Sequence, residues 1–270
     1  MLLPTYMQAA GLARNFGAVV HPFFLHADSG WEPRDEEIRK AVGPGTKLVV
    51  VTNPNNPTGH VLSDVARQRI VSRAAAVGAW ILADEVYQGA ERDGKTTQSF
   101  WGSYDKLVVT SGLSKAYGLP GLRIGWVVST PVFAAEAWAR HDYTTICPSA
   151  VNDHLATLAL GAPVRDIILD RTRRILNTNY PVLDAWLKGV GAGLTWRAPE
   201  AGAVCFVRYP RALEASHIVE RLRAEHSVLL VPGEHFGMPG YLRFGYGGNL
   251  AQLEHALAET ERGLQQMLVD

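Results

Sequence analysis

Residues 47–87 read KLVVVTNPNNPTGHVLSDVARQRIVSRAAAVGAWILADEVY, and this stretch decides the fold. KLVVVT (47–52) is β-branched and almost wholly apolar, the pattern of a strand buried on both faces. NPNNPTG follows as a loop with two prolines. Ser63 is placed to N-cap a helix through Val77, and Gly78 to end it as the C′ residue. AWILAD (79–84) is the next apolar strand. Strand, helix and strand within about 40 residues make a βαβ unit, whose strands run parallel.

Outward from that unit, KLVVTSG (106–112) and LRIGWVV (122–128) continue the series, and GAVVHPFFL (17–25) reads as a strand before it. GPGTK (43–47) mimics part of a phosphate loop without its spacing and reads as a turn. From about residue 163 the character changes. PVRDIILDRTRRILNTNYPVLDAWL is one long helix with Pro181 as its kink point. Ile168, Ile175, Leu176, Leu183 and Leu187 recur near helical spacing, and Arg171, Arg173 and Arg174 fall on the wet face. GVGAG (189–193) is the terminator. Strands are expected over 203–209, 228–231 and 241–247, with helices near 213–225 and 250–268. The expected fold is α/β: a mostly parallel sheet with helices on both faces over 1–165, then a smaller α+β domain over 166–270 that begins with the long helix.

The 270 residues carry 26 basic and 26 acidic side chains, with 47% hydrophobic residues. That composition is globular, and the zero formal charge gives no field that would draw nucleic acid or an anionic membrane. No apolar run approaches a membrane span, and the N-terminus lacks a signal-peptide pattern. The two cysteines, Cys147 and Cys205, form no CxxC pair and no disulfide framework, which suits the cytoplasm. No metal-ligand spacing such as HExxH occurs.

Ligands of open parallel sheets bind beyond the carboxyl ends of the strands. Asn56, Asp84 and Lys115 stand at such places. Asp84 closes an apolar strand; it either caps a local loop or pairs with a buried cation such as a protonated ring nitrogen. Tyr87 follows by three residues, as core packing or with its hydroxyl at the same site. Lys115 lies in TSGLSKAYGLPGLRIGW, a largely uncharged stretch. It is either a solvated charge or, in a dry cleft, an amine nucleophile able to form a Schiff base. Arg123 between Leu122 and Ile124 suits a structural ion pair or a phosphate. Arg243 in YLRFGYG is either exposed or a clamp for a carboxylate. His141, Asp142, Tyr143 and Thr144 form a polar cluster before a helix, and His235 lies in a loop close to the expected cleft; neither has an assigned chemistry.

NPNNPTG, ADEVY, SGLSKAYGLPGLRIGW, VPGEHFG and LRFGYG occur in that order at suitable spacing. The chain thereby resembles the class I/II, aspartate-aminotransferase-like, fold type I pyridoxal-phosphate enzymes over essentially its whole length. The resemblance implies pyridoxal 5'-phosphate as cofactor, amino-acid and 2-oxo-acid substrates, and a homodimer. It implies that Lys115 forms the Schiff base and moves the Cα proton. It assigns Asp84 to the pyridinium nitrogen, Tyr87 and Asn56 to the phenolic oxygen, and Arg123 to the phosphate. Tyr6 would stack on the ring, Arg243 would grip the substrate α-carboxylate, and Asn56 would also bind substrate.

Two departures matter. Gly112 stands where the family places a phosphate-binding Ser or Thr, leaving Ser111 or Ser114 to take that role. Tyr6 lies at the start of the chain, where the family has a preceding segment with a phosphate-cradling helix N-terminus and a tyrosine that reaches the partner's site. The chain is therefore expected to be a fragment of a longer enzyme or a shortened member. Loss of two such bonds would weaken cofactor binding by about 10²–10⁴-fold. The expected reaction is amino-group transfer. The alternatives are a β-lyase, decarboxylase or oxidase on the same scaffold, or a non-catalytic member. A serine hydrolase is set aside because GLSKA replaces the last glycine of GxSxG by Ala116.

Overall fold

The computed structural model describes residues 1–190, 193–210 and 214–267. In chain order the elements are β1 (Leu2–Leu3), α1 (Gln8–Asn15), β2 (Phe23–His26), β3 (Glu32–Pro33), α2 (Asp35–Ala41) and β4 (Leu48–Thr52). Next come α3 (Asp64–Val77), β5 (Trp80–Asp84), β6 (Leu107–Gly112), β7 (Gly125–Val128), α4 (Pro131–His141), α5 (Ala150–Leu160) and α6 (Ala162–Gly189). The chain continues with β8 (Thr195–Trp196), β9 (Val204–Arg208), α7 (Ala215–His226), β10 (Val231–Pro232), β11 (Tyr241–Gly245) and α8 (Leu250–Met267).

The βαβ reading holds. β4 and β5 pair in parallel with Thr52 opposite Asp84, and β5 and β6 pair in parallel with Asp84 opposite Thr110. Ser63 caps α3 by accepting from the Ala66 amide at 3.1 Å, and Gly78 adopts φ +69° at its end. β7 closes this sheet antiparallel to β6. The order β4-β5-β6-β7 brings the ends of β4, β5 and β6 side by side. A small sheet, β1-β2-β3, flanks it, and an antiparallel sheet runs β10-β11-β9-β8.

Several boundaries shift, each for a local reason. The strand expected over 17–25 begins at Phe23, because Pro22 has no amide to give to a ladder and residues 18 and 19 are exposed. The strand expected over 122–128 begins at Gly125, after a single 3₁₀ turn at Pro120–Leu122 and a left-handed Arg123. The 228–231 strand shrinks to Val231–Pro232, since Ser227 is left-handed and the Val228 amide turns back to Leu222. The long helix runs from Ala162 to Gly189 with Pro181 inside it, burying Leu176, Leu183 and Leu187. Residues 191 and 192 of GVGAG, residue 213 and residue 268 lie outside the described residues.

Two apolar cores form. One gathers Leu25, Ile38, Val49, Ile70, Ile81 and Leu107 around the parallel strands. The other gathers Leu176, Leu183, Leu187, Leu222, Phe244 and Leu257 around α6, α7, α8 and the antiparallel sheet. Phe206 and Phe236, which come late in the chain, pack into the first core and so tie the late sheet to the early one.

The seam between them passes Gly59. Its carbonyl accepts the Glu200 and Ala201 amides at 2.8 and 2.9 Å. Its φ is +69°, and a Cβ there would meet the Pro199 Cβ at 2.4 Å. Gly59→Ala is expected to cost about 2–4 kcal/mol, from left-handed strain plus overpacking. Urea unfolding measures it, and an unchanged midpoint would contradict this account.

Candidate active site

Thr52 ends β4, and its hydroxyl bonds the Thr5 hydroxyl at 2.9 Å. In the loop that follows, the Asn55 amide nitrogen Nδ2 donates to the Pro4 carbonyl at 3.1 Å, and its Oδ1 accepts from the Thr58 amide and hydroxyl. The Asn53 amide donates to the Asp84 carbonyl at 2.9 Å, and Asn53 Oδ1 accepts from Leu62. These bonds fix both the Asn56 loop and the segment carrying Tyr6 to the ends of β4 and β5.

Asp84 sits half-buried at the end of β5. Its Oδ1 accepts from the Val86 amide at 3.2 Å. Burial raises its pKa, against the Val86 amide and the charge of Lys115, which lower it. Asp84 and Lys115 are thus close enough to feel one another. Tyr87 is buried, and burial pushes its hydroxyl up to about 12, with Arg243 pulling down and Asp84 and Tyr6 pushing up. Tyr87 and Tyr6 also neighbour Arg243, where burial favours the neutral form and their hydroxyls oppose it.

Arg243 is half-buried on β11, opposite Phe206 of β9 and Val231 of β10. Its Nη1 donates to Asn56 Oδ1 at 2.9 Å, and its guanidinium lies 5.3 Å from the Phe236 ring centroid. Its Nε is buried with no hydrogen-bond partner among the described residues. Of the two readings the sequence left open, exposure is excluded.

Lys115 is exposed, on the turn after β6. Gly118 donates to its carbonyl, Leu119 donates to Leu113, and Ala116 reaches the Val86 carbonyl at 3.4 Å, tying this turn to the one after Asp84. Ser114 is half-buried beside it, while the Ser111 hydroxyl is directed to the Glu85 carbonyl at 3.3 Å. Gly112 has a steric reason: it pairs with Gly125, and a Cβ would meet the Ile124 carbonyl oxygen at 3.0 Å. Arg123 is exposed and left-handed, with Nη1 on its own Pro120 carbonyl at 3.0 Å. Among the described residues no hydrogen bond or ion pair joins it to the Asp84 group, although Ile124 and Gly125 place it beside the Lys115 turn. The structure therefore brings together Tyr6, Asn56, Asp84, Tyr87, Lys115 and Arg243, and leaves Arg123 and Ser114 at the margin.

Sequence reasoning missed His60. Only 6% exposed, it bonds Glu200 through Nδ1 at 2.6 Å and Glu32 through Nε2 at 3.2 Å. A histidine directly after NPNNPTG was the one available signal.

This arrangement suits a flat, charged, aromatic ligand. A carboxylate with a single hydrogen bond and a raised pKa is short of a cationic partner. A buried guanidinium Nε without a partner is short of an acceptor. A protonated pyridine ring bearing acidic oxygens would supply both, so the residues fit pyridoxal phosphate.

The profile of "Aminotransferase class I and II" matches residues 1–259. Capreomycidine synthase of Streptomyces vinaceus is 30% identical over 97% of this chain and 67% of its own length. An aspartate aminotransferase of Streptomyces avermitilis is 26% identical over 97% of this chain and 66% of its own. A PLP-dependent aminotransferase from Streptococcus suis superposes with a TM-score of 0.90 at 34% identity, covering 98% of this chain and 70% of that one. The aspartate aminotransferase of Thermotoga maritima superposes at 0.87 with 25% identity, covering 98% of this chain and 68% of that one. The chain spans about two-thirds of the length of the curated relatives it matches, from 60% to 67%. With a family profile matching along nearly all of it and a fold type I architecture shared with these structures, the chain belongs to the class I and II aminotransferase family.

Proposed function

We propose that this chain binds pyridoxal 5'-phosphate and transfers an amino group between an amino acid and a 2-oxo acid. The observation that carries the reading is the meeting of Asp84, Tyr87, Lys115, Asn56 and Arg243 at the adjoining ends of β4, β5, β6 and on β11. The cofactor supplies an aldehyde for an amine and a protonated ring that withdraws electrons from the substrate's Cα. Asp84 would hold the ring nitrogen protonated, and burial makes its carboxylate a stronger base for that purpose. Tyr87 and Asn56 would hydrogen-bond the phenolic oxygen. Tyr6 would cover one ring face. Ser114 and Arg123 would take the phosphate, Arg123 by turning its guanidinium from Pro120. Lys115 would hold the cofactor and carry the proton to and from Cα.

Arg243 would bind the substrate carboxylate through the donors it does not spend on Asn56. Arg243→Lys replaces the planar fork by a point charge. Its expected effect is a KM for amino acids raised about 10–100-fold with a smaller change in kcat. Steady-state kinetics checks it, and an unchanged KM would contradict the assignment.

The two cores support a division into a large cofactor domain over 1–165 and a small domain over 166–270. Exposed Trp138, Tyr143, Ile146 and Val151 on and between α4 and α5 form the kind of surface that a homodimer covers. We place the protein in the cytoplasm; among the described residues no helix is long and apolar enough to cross a membrane. The relative named capreomycidine synthase favours a second reading, a different reaction on the same scaffold. Incubation with pyridoxal phosphate, a panel of amino acids and an acceptor 2-oxo acid separates the two. Matched formation of a new amino acid and a new 2-oxo acid is expected. Consumption of substrate without amino transfer to the acceptor would reject the first reading.

A further inference from the structure

The 53–60 loop ends in a residue that the proposed chemistry does not use. We propose that His60 is a positioning residue for the site: its ring clasps Glu200 and Glu32 and so holds the 53–60 loop, with Asn56, in register with Arg243.

The clasp joins three segments far apart in the chain. Glu32 comes from β3 and also accepts the Ser63 amide at 2.9 Å. Glu200 precedes β9 and also accepts the Val61 amide at 3.0 Å. The backbone repeats the connection, because the Glu200 and Ala201 amides both donate to Gly59. From there the same strip reaches the site: Gly202 lies against the Tyr87 ring and its carbonyl accepts the Tyr246 hydroxyl at 2.6 Å. At the other end of the loop, Asn56 accepts from Arg243. A shift of Glu200 away from His60 therefore moves the loop that carries Asn56.

The clasp is strongest when the ring is charged. Burial alone favours neutral imidazole, but the Glu200 and Glu32 carboxylates outweigh it, and the pKa is raised above the ordinary 6.5. Both carboxylates are held below their ordinary 4.5 by His60 despite partial burial. Among the described residues, Arg197 acts on Glu200, Asp64 and its ion-pair partner Arg67 line one cleft with Glu200, and Arg92 lines another with it. A raised histidine contributes stability fully below 6.5 and loses it as pH rises through its folded value. The lowered carboxylates contribute above 4.5 and lose it as pH falls through theirs. The clasp is thus complete in weak acid and releases on the alkaline side.

The functional consequence rests on the cofactor reading above; the clasp itself does not. The test uses isotope-labelled, cofactor-free protein and follows the His60 ring and the Asn56 side-chain amide by NMR against pH. His60 is expected to titrate above the ordinary value, and the Asn56 signal to move with it. Glu200→Gln keeps a hydrogen-bond acceptor without the charge, and is expected to lower the His60 titration and reduce the Asn56 response. It also serves if His60→Gln folds poorly. Pyridoxal phosphate affinity then gives a ratio: wild type about three- to tenfold tighter than His60→Gln near pH 6, closing to within about twofold near pH 9. An Asn56 signal indifferent to His60, or an affinity ratio constant with pH, would overturn the proposal. A wild type that takes up no cofactor while Asn56 still follows His60 would sink the cofactor reading and leave the clasp standing.

Discussion

Replacing Lys115 by alanine is expected to lower turnover by about 10⁴-fold or more while leaving the protein folded. The size follows from losing two roles at once, since the amine is both the covalent anchor and the proton carrier, and acid–base catalysis alone supplies about 10²–10⁴-fold. The fold should survive because the residue is exposed and, among the described residues, its hydrogen bond is made by the backbone carbonyl, to the Gly118 amide. The measurement pairs amino-transfer rate with thermal midpoint. Activity within tenfold of wild type would remove Lys115 from the mechanism, and collapse of the midpoint would show that the lysine has a structural part the present contacts do not reveal.

The second large effect is at Asp84. Asp84→Asn keeps an oxygen to accept from Val86 but removes the charge that would hold the ring nitrogen protonated. The expected fall in kcat is about 10²–10³-fold, the size of losing one buried electrostatic partner at the reacting centre. Stability should move the other way. Burial raises the folded pKa of Asp84 above its ordinary 3.8, so the ionised group lowers native stability at neutral pH. That cost disappears as pH falls below 3.8. Without cofactor, the asparagine variant is therefore expected to be at least as stable as wild type near pH 7 and to lose that advantage in acid. Thermal unfolding across pH checks the sign. A variant less stable at neutral pH but restored in acid would mean that Asp84 is satisfied by a partner other than a ligand.

What was legible in the sequence was local. Ser63 and Gly78 bracketed α3 because capping is decided within a few residues. The apolar runs at 47–52 and 79–84 gave adjacent parallel strands, although burial on both faces is incomplete: Leu48 is exposed, and β5 alternates buried Ile81 and Ala83 with half-buried Trp80 and Leu82. Asp84 and Lys115 stood out because each follows such a run. The rest depends on contacts distant in sequence. Arg243 reads as an ordinary strand arginine until Asn56, 187 residues away, accepts from it. His60 looked unremarkable because its strongest partner lies 140 residues downstream. Gly112 is a departure from the family pattern that makes sense once β7 folds back antiparallel and brings the Ile124 carbonyl oxygen to 3.0 Å from where a Cβ would stand. The reversal of β7 itself hangs on the turn through Pro120 and Arg123, whose left-handed φ of +53° no propensity at an arginine would suggest.

The central claim is that these side chains form one pyridoxal-phosphate site anchored on Lys115. Its most direct test is to incubate the protein with pyridoxal phosphate, reduce with borohydride, and map the modified peptide by mass spectrometry. The account predicts a single stoichiometric label on Lys115, absent from Lys115→Ala. Labels scattered over surface lysines, or one concentrated on a lysine other than Lys115, would contradict it.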